Sequence, residues 1–192
     1  MSMLERRAFW FLRHGETDWN ARNLSQGSSD IPLNANGLRQ AEKAAARLVG
    51  RGIETVFASP LARAERTAAI IAEQLGLPVA IVPDLREAAF GMREGQPMGD
   101  WFTAWVAGQA TPESAESFAA LRARAVAALN PLLAAPRLAL IVAHGSLFRA
   151  VRAEMGLSPK VRTPNATPLL CLPPTSAGAP WRLLSPEEAA SI

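Results

Sequence analysis

Short apolar runs and helical repeats take turns along this chain. Residues 7–15, RAFWFLRHG, predict a strand, because the run from Ala8 to Leu12 is unbroken and then stops at Arg13, His14 and Gly15. The turn-rich segment 28–37 follows, and 38–52 has helical composition closed by Gly50 and Gly52. Residues 53–60, IETVFASP, predict a second strand that a proline stops. In 61–76 the apolar positions Leu61, Ala64, Ala68, Ile71 and Leu75 recur at helical spacing, with Gly76 at the end. A third strand is expected over 77–85 and a fully apolar fourth over 137–145, followed by a helix over 146–156. A helix beginning at Pro112 and Glu113 and ending near Pro131–Pro136 is expected before that fourth strand. Two edge strands, over 167–174 and 181–185, complete the pattern.

Four strand–helix alternations imply an α/β fold with a mainly parallel sheet and helices on both faces. Ligands in such sheets sit beyond the carboxyl ends of the strands. A chain of 192 residues fits one domain. The segment 90–112 departs from the alternation: glycines and Phe90, Trp101, Phe102 and Trp105 gather there, predicting a small cap. Residues 186–192 are expected to form a loose tail.

Composition narrows the classes. Hydrophobic residues make up 49% and charged residues 19%, enough apolar material for a packed core. The 20 basic residues against 17 acidic ones give a net charge of +3, and all but Lys43 and Lys160 are arginines. They are scattered rather than clustered, so no nucleic-acid partner is expected. The N-terminal apolar run is too short for a membrane span, and Cys171 has no partner for an internal disulfide. A cytoplasmic setting and no membrane partner follow as expectations. Metal-ligand spacing is absent, and neither a metal nor a cofactor is expected. Assembly into a homo-oligomer remains open.

The ends of the predicted strands carry the candidate chemistry. Arg13, His14 and Gly15 follow the first; Ser59, Pro60 and Arg63 the second; Asp84, Arg86 and Glu87 the third; His144, Gly145 and Ser146 the fourth. Each alone has an ordinary structural explanation. Together they bring both histidines of the chain, each followed by glycine, to one edge. Glycine there permits positive φ and close approach of the backbone to a ligand. Such a set suits phosphoryl transfer: a neutral imidazole as nucleophile, arginine forks for the equatorial oxygens and a carboxylic acid for the leaving oxygen. General acid–base help of this kind contributes roughly 10²–10⁴ in rate.

RHGETDWN (13–20), SQGSSDIPLNANGLRQA (25–41), ASPLARAERTA (58–68), LREAAFGMREG (85–95) and VAHGS (142–146) resemble, in order and spacing, the motifs of the histidine phosphatase superfamily, or phosphoglycerate mutase-like family. The resemblance covers roughly residues 7–170 and implies a three-layer α/β/α sandwich. It implies that His14 accepts the phosphoryl group, that Arg13, Arg63 and His144 bind it, and that Glu87 gives and takes the proton. It also implies that Asn20, Gln26, Gly27 and Gly145 border a small phosphorylated substrate.

The stretch from Glu87 to His144 is short for a cofactor-dependent mutase, and from Gly91 on only Arg93 precedes Arg122. The expected activity is therefore that of a phosphomonoesterase working through a phosphohistidine. A phosphoglycerate-type mutase and a catalytically silent phospho-ligand-binding module are the alternatives.

Overall fold

The computed structural model describes residues 3–176 and 179–191. Among them six strands form one sheet: β1 (Phe9–Arg13), β2 (Thr55–Ala58), β3 (Val79–Ile81), β4 (Ala139–Ala143), β5 (Leu169–Leu172) and β6 (Arg182–Leu184). Their order is β3-β2-β4-β1-β5-β6. The first four in that order run parallel, while β5 lies antiparallel to β1 and β6 antiparallel to β5. The helices are α1 (Asp18–Ala21), α2 (Ala35–Leu48), α3 (Ala62–Leu75), α4 (Asp100–Val106), α5 (Phe118–Ala134), α6 (Gly145–Glu154) and α7 (Pro186–Ala189).

The layering follows from the two-residue period of β1, whose side chains alternate between faces. Phe9 and Phe11 join the core under α5 and α6, whereas Trp10 and Leu12 join the core under α2 and α3. A strand buried on both faces reads as a continuous apolar run, and β4 does the same with Ala139 to Ala143. Phe11 stacks on Phe148 of α6, with ring centroids 3.9 Å apart and an interplanar angle of 12°. Losing such a side chain to alanine costs about 3–5 kcal/mol. On the other face, α2 presents Ala44, Ala45 and Leu48 and α3 presents Ala68, Ile71 and Ala72, and the four alanines let both helices sit close to the sheet. Asn34 caps α2 by accepting from the Gly37 N–H, and Gly76 ends α3 in the left-handed region at φ 67°.

One register matters most. Arg13 of β1 pairs with Ala143 of β4 in parallel, so the next residue of each strand, His14 and His144, leaves the sheet side by side. The His14 N–H donates to the Ala143 carbonyl at 3.0 Å, which fixes that alignment.

Several expectations change. Only β6 of the last two strands is an edge; β5 is interior because its other side pairs with β1. The expected loose tail is ordered over Pro186–Ala189, where Ser185 and Glu188 form a reciprocal capping box and Glu187 pairs with Arg47 at 2.7 Å. Ile192 lies outside the described residues. The helix expected from Pro112 begins instead at Phe118, where Ser117 accepts from the Ala120 N–H, and it ends at Ala134, within the expected bounds. No helix among the described residues is long and apolar enough to cross a membrane.

Candidate active site

His14 stands just past β1 and is 2% exposed. Its Nδ1 lies 2.6 Å from the Gly15 carbonyl oxygen, which can only accept, so the ring proton is on Nδ1 and Nε2 keeps its lone pair. Burial first, and then the charges of Arg63 and Arg13, hold its pKa well below the usual imidazole value. The imidazole is thus neutral at physiological pH, with the Nε2 lone pair available.

The loop carrying it is held from three sides. The Gly15 N–H donates to Thr67 Oγ1 at 3.0 Å, and Asn165 Nδ2 donates to the His14 carbonyl at 2.9 Å. A Cβ on Gly15 would lie 2.5 Å from the Gly37 carbonyl oxygen, so glycine is required by the start of α2 pressing on the loop. The expectation of positive φ after each histidine is corrected here: neither Gly15 nor Gly145 has it. At Gly145 a Cβ would come 3.4 Å from Arg13 Nε, which makes the residue a spacer beside that guanidinium.

His144 is fully buried, and its ring centroid is 5.2 Å from that of His14. Its Nε2 lies 2.6 Å from Ser59 Oγ, at the end of β2. Ser59 Oγ also accepts from the Leu61 N–H at 3.3 Å, and its own proton, when turned to Nε2, goes with a ring proton on Nδ1. His144 Nδ1 has no partner. Burial, followed by Arg63, lowers the His144 pKa well below the usual value.

Arg13 and Arg63 complete the base of the cleft. Arg13 donates through Nη1 to the Thr163 carbonyl at 2.9 Å. Burial lowers its pKa to about 10, with Glu87 opposing the shift, so it stays charged near neutrality. Arg63, 0% exposed, is held by the Ser29 and Gly27 carbonyls at 2.7 and 2.8 Å. Arg13 Nε and Arg63 Nε are, like His144 Nδ1, buried without a partner. Buried donors are ordinarily satisfied, so three unpaired ones around a single imidazole make an anion cradle.

Glu87, 8% exposed, is fixed by the first turn of α6: Oε2 accepts from the Ser146 N–H and Oε1 from the Leu147 and Ala88 N–H groups, at 2.9–3.0 Å. The helix capped by His144 therefore also orients the Glu87 carboxylate. Asp84 and Arg86, expected at the same edge, pair with each other in an exposed ion pair instead.

Asn20 accepts on Oδ1 from the Thr17 N–H and from Asn165 Nδ2, which leaves its Nδ2 as a donor on the cleft. Gln26 is buried, accepts on Oε1 from the Thr17 hydroxyl at 3.0 Å and lines the cleft with Gly27. Gly27 sits at φ 56°, and a Cβ there would fall 2.2 Å from a Glu94 carboxylate oxygen. That carboxylate accepts from the Ser28, Ser29 and Phe90 N–H groups and the Ser29 hydroxyl, tying the loop that holds Arg63 to the cap. Of the cap aromatics, Trp105 is fully buried against Phe90 and Phe118, while Phe90 and Phe102 border the cleft.

All nine candidate residues gather at this one place. The sequence reading missed Glu94, Asn165 and Thr67, which act through other residues. It also missed Arg149 and Arg162, which line the cleft directly. Arg149 had a signal, standing one helical turn after Gly145. Arg162 and Asn165 lie in an irregular loop with no periodicity to mark them. No three His, Cys, Asp or Glu side chains among the described residues gather as a metal site.

Residues 9–165 match the family model described as the histidine phosphatase superfamily (branch 1). The chain belongs to that superfamily. It is 45% identical over 91 residues to the uncharacterized phosphatase PhoE of Bacillus subtilis, a match that spans 47% of each chain and so about half the length of that relative. It is 38% identical over 163 residues to the "Probable phosphoglycerate mutase GpmB" of Yersinia enterocolitica, covering 78% of this chain and 75% of that one. Among solved structures, the mycobacterial glucosyl-3-phosphoglycerate phosphatase in complex with VO3 is similar, with a TM-score of 0.81 and 29% identity over 93% of this chain and 98% of that one.

Proposed function

We propose that this member of the histidine phosphatase superfamily is a phosphomonoesterase that hydrolyses a small phosphorylated metabolite through a phosphohistidine on His14. The observation that carries the reading is the set of three buried, unpartnered donors, Arg13 Nε, Arg63 Nε and His144 Nδ1, grouped about an imidazole whose lone pair is on Nε2. The phosphatase and mutase names of its relatives support it.

His14 Nε2 attacks phosphorus, the P–N bond forms and the ester P–O bond breaks, while the leaving oxygen takes a proton from Glu87. The arginines and His144 hold the equatorial oxygens as charge spreads over them. Water then attacks the phosphohistidine, giving its proton to Glu87 as the P–O bond forms and the P–N bond breaks. Asn20 and Gln26 donate to the substrate from the rim. Cys171 is buried and its pKa is raised by that burial, which keeps the thiol protonated and unreactive.

Release of p-nitrophenol from p-nitrophenyl phosphate, lost in His14→Ala with the fold intact, is the expected result. An unaffected His14→Ala variant would overturn the reading. The mutase alternative draws support from the GpmB similarity. Bisphosphate-dependent conversion of 3-phosphoglycerate to 2-phosphoglycerate without phosphate release would favour it.

A further inference from the structure

Arg63 reaches the cleft through a chain of contacts that starts in the cap. Its two Nη groups donate to the Ser29 and Gly27 carbonyls, so the aim of Nε depends on where residues 26–30 lie. That short strap is fastened twice. Asp30 Oδ1 accepts from the N–H of Ala62 at 2.8 Å, in the first turn of α3, the helix that carries Arg63. Glu94 Oε1 accepts from the Ser28 N–H at 2.8 Å. Its Oε2 accepts from the Ser29 N–H at 2.9 Å and from the Ser29 hydroxyl at 2.6 Å.

Glu94 belongs to the cap. Its Oε1 also accepts from the Phe90 N–H at 3.1 Å, and Phe90 borders the cleft with Met98 and Phe102. Just before the strap, residues 23–25 pair with the cap through the backbone. The Ser25 N–H donates to the Gln96 carbonyl at 2.9 Å, the Gly95 N–H to the Ser25 carbonyl at 2.8 Å and the Met98 N–H to the Asn23 carbonyl at 3.0 Å. Cap and strap thus form one wall of the cleft.

An ionised carboxylate offers about four acceptor sites, and Glu94 meets four donors, two at each oxygen. It belongs to none of the four ion pairs among the described residues, so amides and a hydroxyl satisfy it. Its charge still bears on Arg63. Burial lowers the Arg63 pKa, and Glu87, Asp30 and Glu94 oppose that shift.

We infer that Glu94 is a positioning residue for phosphoryl transfer, holding Arg63 Nε on the phosphoryl group and tying that aim to the cap wall. Glu94 is not among the residues that line the cleft, so it acts through Ser28, Ser29 and Arg63. The wall beside the leaving group and the guanidinium on the phosphoryl oxygens then keep one relative geometry, on which the rate depends. This inference rests on the phosphatase reading but fails separately from it.

The test is Glu94→Gln, which keeps the shape of the side chain but turns an NH2 group towards two of the four donors. With p-nitrophenyl phosphate, kcat should fall about 10- to 100-fold and KM rise no more than about threefold. The loss falls on kcat because charge on the equatorial oxygens grows in the transition state. A lysine at position 63 has no fork for the two carbonyls to aim. In an Arg63→Lys background, adding Glu94→Gln should therefore lower kcat at most about twofold. An equal loss in both backgrounds overturns the inference, as does a lower melting temperature with kcat unchanged. If Arg63→Lys does not fold or turn over, inhibition of Glu94→Gln by vanadate decides. Inhibition weakened in proportion to kcat supports the inference, and unchanged inhibition overturns it. Absence of monoester turnover by the wild type would instead fail the phosphatase reading.

Discussion

The Nδ1 of His14 is 2.6 Å from the Gly15 carbonyl oxygen, and that single contact decides which nitrogen keeps its lone pair. It places the proton on Nδ1 and the lone pair on Nε2. Burial with Arg63 and Arg13 nearby then keeps the ring neutral. In ¹⁵N NMR, His14 should show the Nδ1–H tautomer and remain neutral as pH falls through the ordinary imidazole midpoint. A His14 ring titrating near 6.5 would contradict the electrostatic account.

The same depressed pKa values predict how stability depends on pH. His14 and His144 both have folded-state values well below the unfolded one, so the unfolded chain binds protons first on acidification. Their stabilising contribution is complete above about pH 6.5 and is lost as pH falls below it, at roughly 1.4 kcal/mol per pH unit for each histidine. Urea midpoints taken from about pH 7 to 5 should fall accordingly. The slope should be shallower in His14→Ala.

In the proposed reaction Ser59 works through His144, whose Nε2 it touches at 2.6 Å. If its hydroxyl donates to Nε2 and so keeps the His144 ring proton on Nδ1, Ser59→Ala should lower kcat by roughly 10- to 100-fold while changing KM little, the scale of one charge-assisted hydrogen bond. Ser59→Thr keeps the hydroxyl and should recover much of the rate. Loss of activity in the threonine variant with the fold retained would remove Ser59 from the account.

Gly27→Ala tests the Arg63 support. The left-handed backbone and the collision of a Cβ with Glu94 predict destabilisation of about 1–3 kcal/mol in thermal unfolding. Because the Gly27 carbonyl holds Arg63, phosphate should also bind more weakly. Calorimetric titration with inorganic phosphate measures that part separately.

How much of this was legible in the sequence depends on what carried each signal. The strands and the residues at their ends were readable because β1 and β4 are unbroken apolar runs that stop at Arg13-His14 and His144-Gly145. The side-by-side placement of the two histidines was not, since it depends on the register of Arg13 against Ala143. Glu94 and Asn165 escaped because they act on backbone groups distant in sequence, at Ser28 and Ser29 and at His14. The order of the tail rests on a four-residue helix with a capping box, Ser185 with Glu188, too short to show a periodicity in the sequence. In the cap, sequence could not divide the aromatics between packing and substrate. Burial does, assigning Trp105 to the core and leaving Phe102 on the cleft.

The central claim is that His14 carries the phosphoryl group. The direct measurement is rapid quenching of wild-type enzyme during turnover of a ³²P-labelled monoester, followed by peptide mapping. The account predicts acid-labile, base-stable label on His14, formed and lost at rates that match turnover and absent from His14→Ala. Turnover without label on His14, or label on another residue, would contradict it.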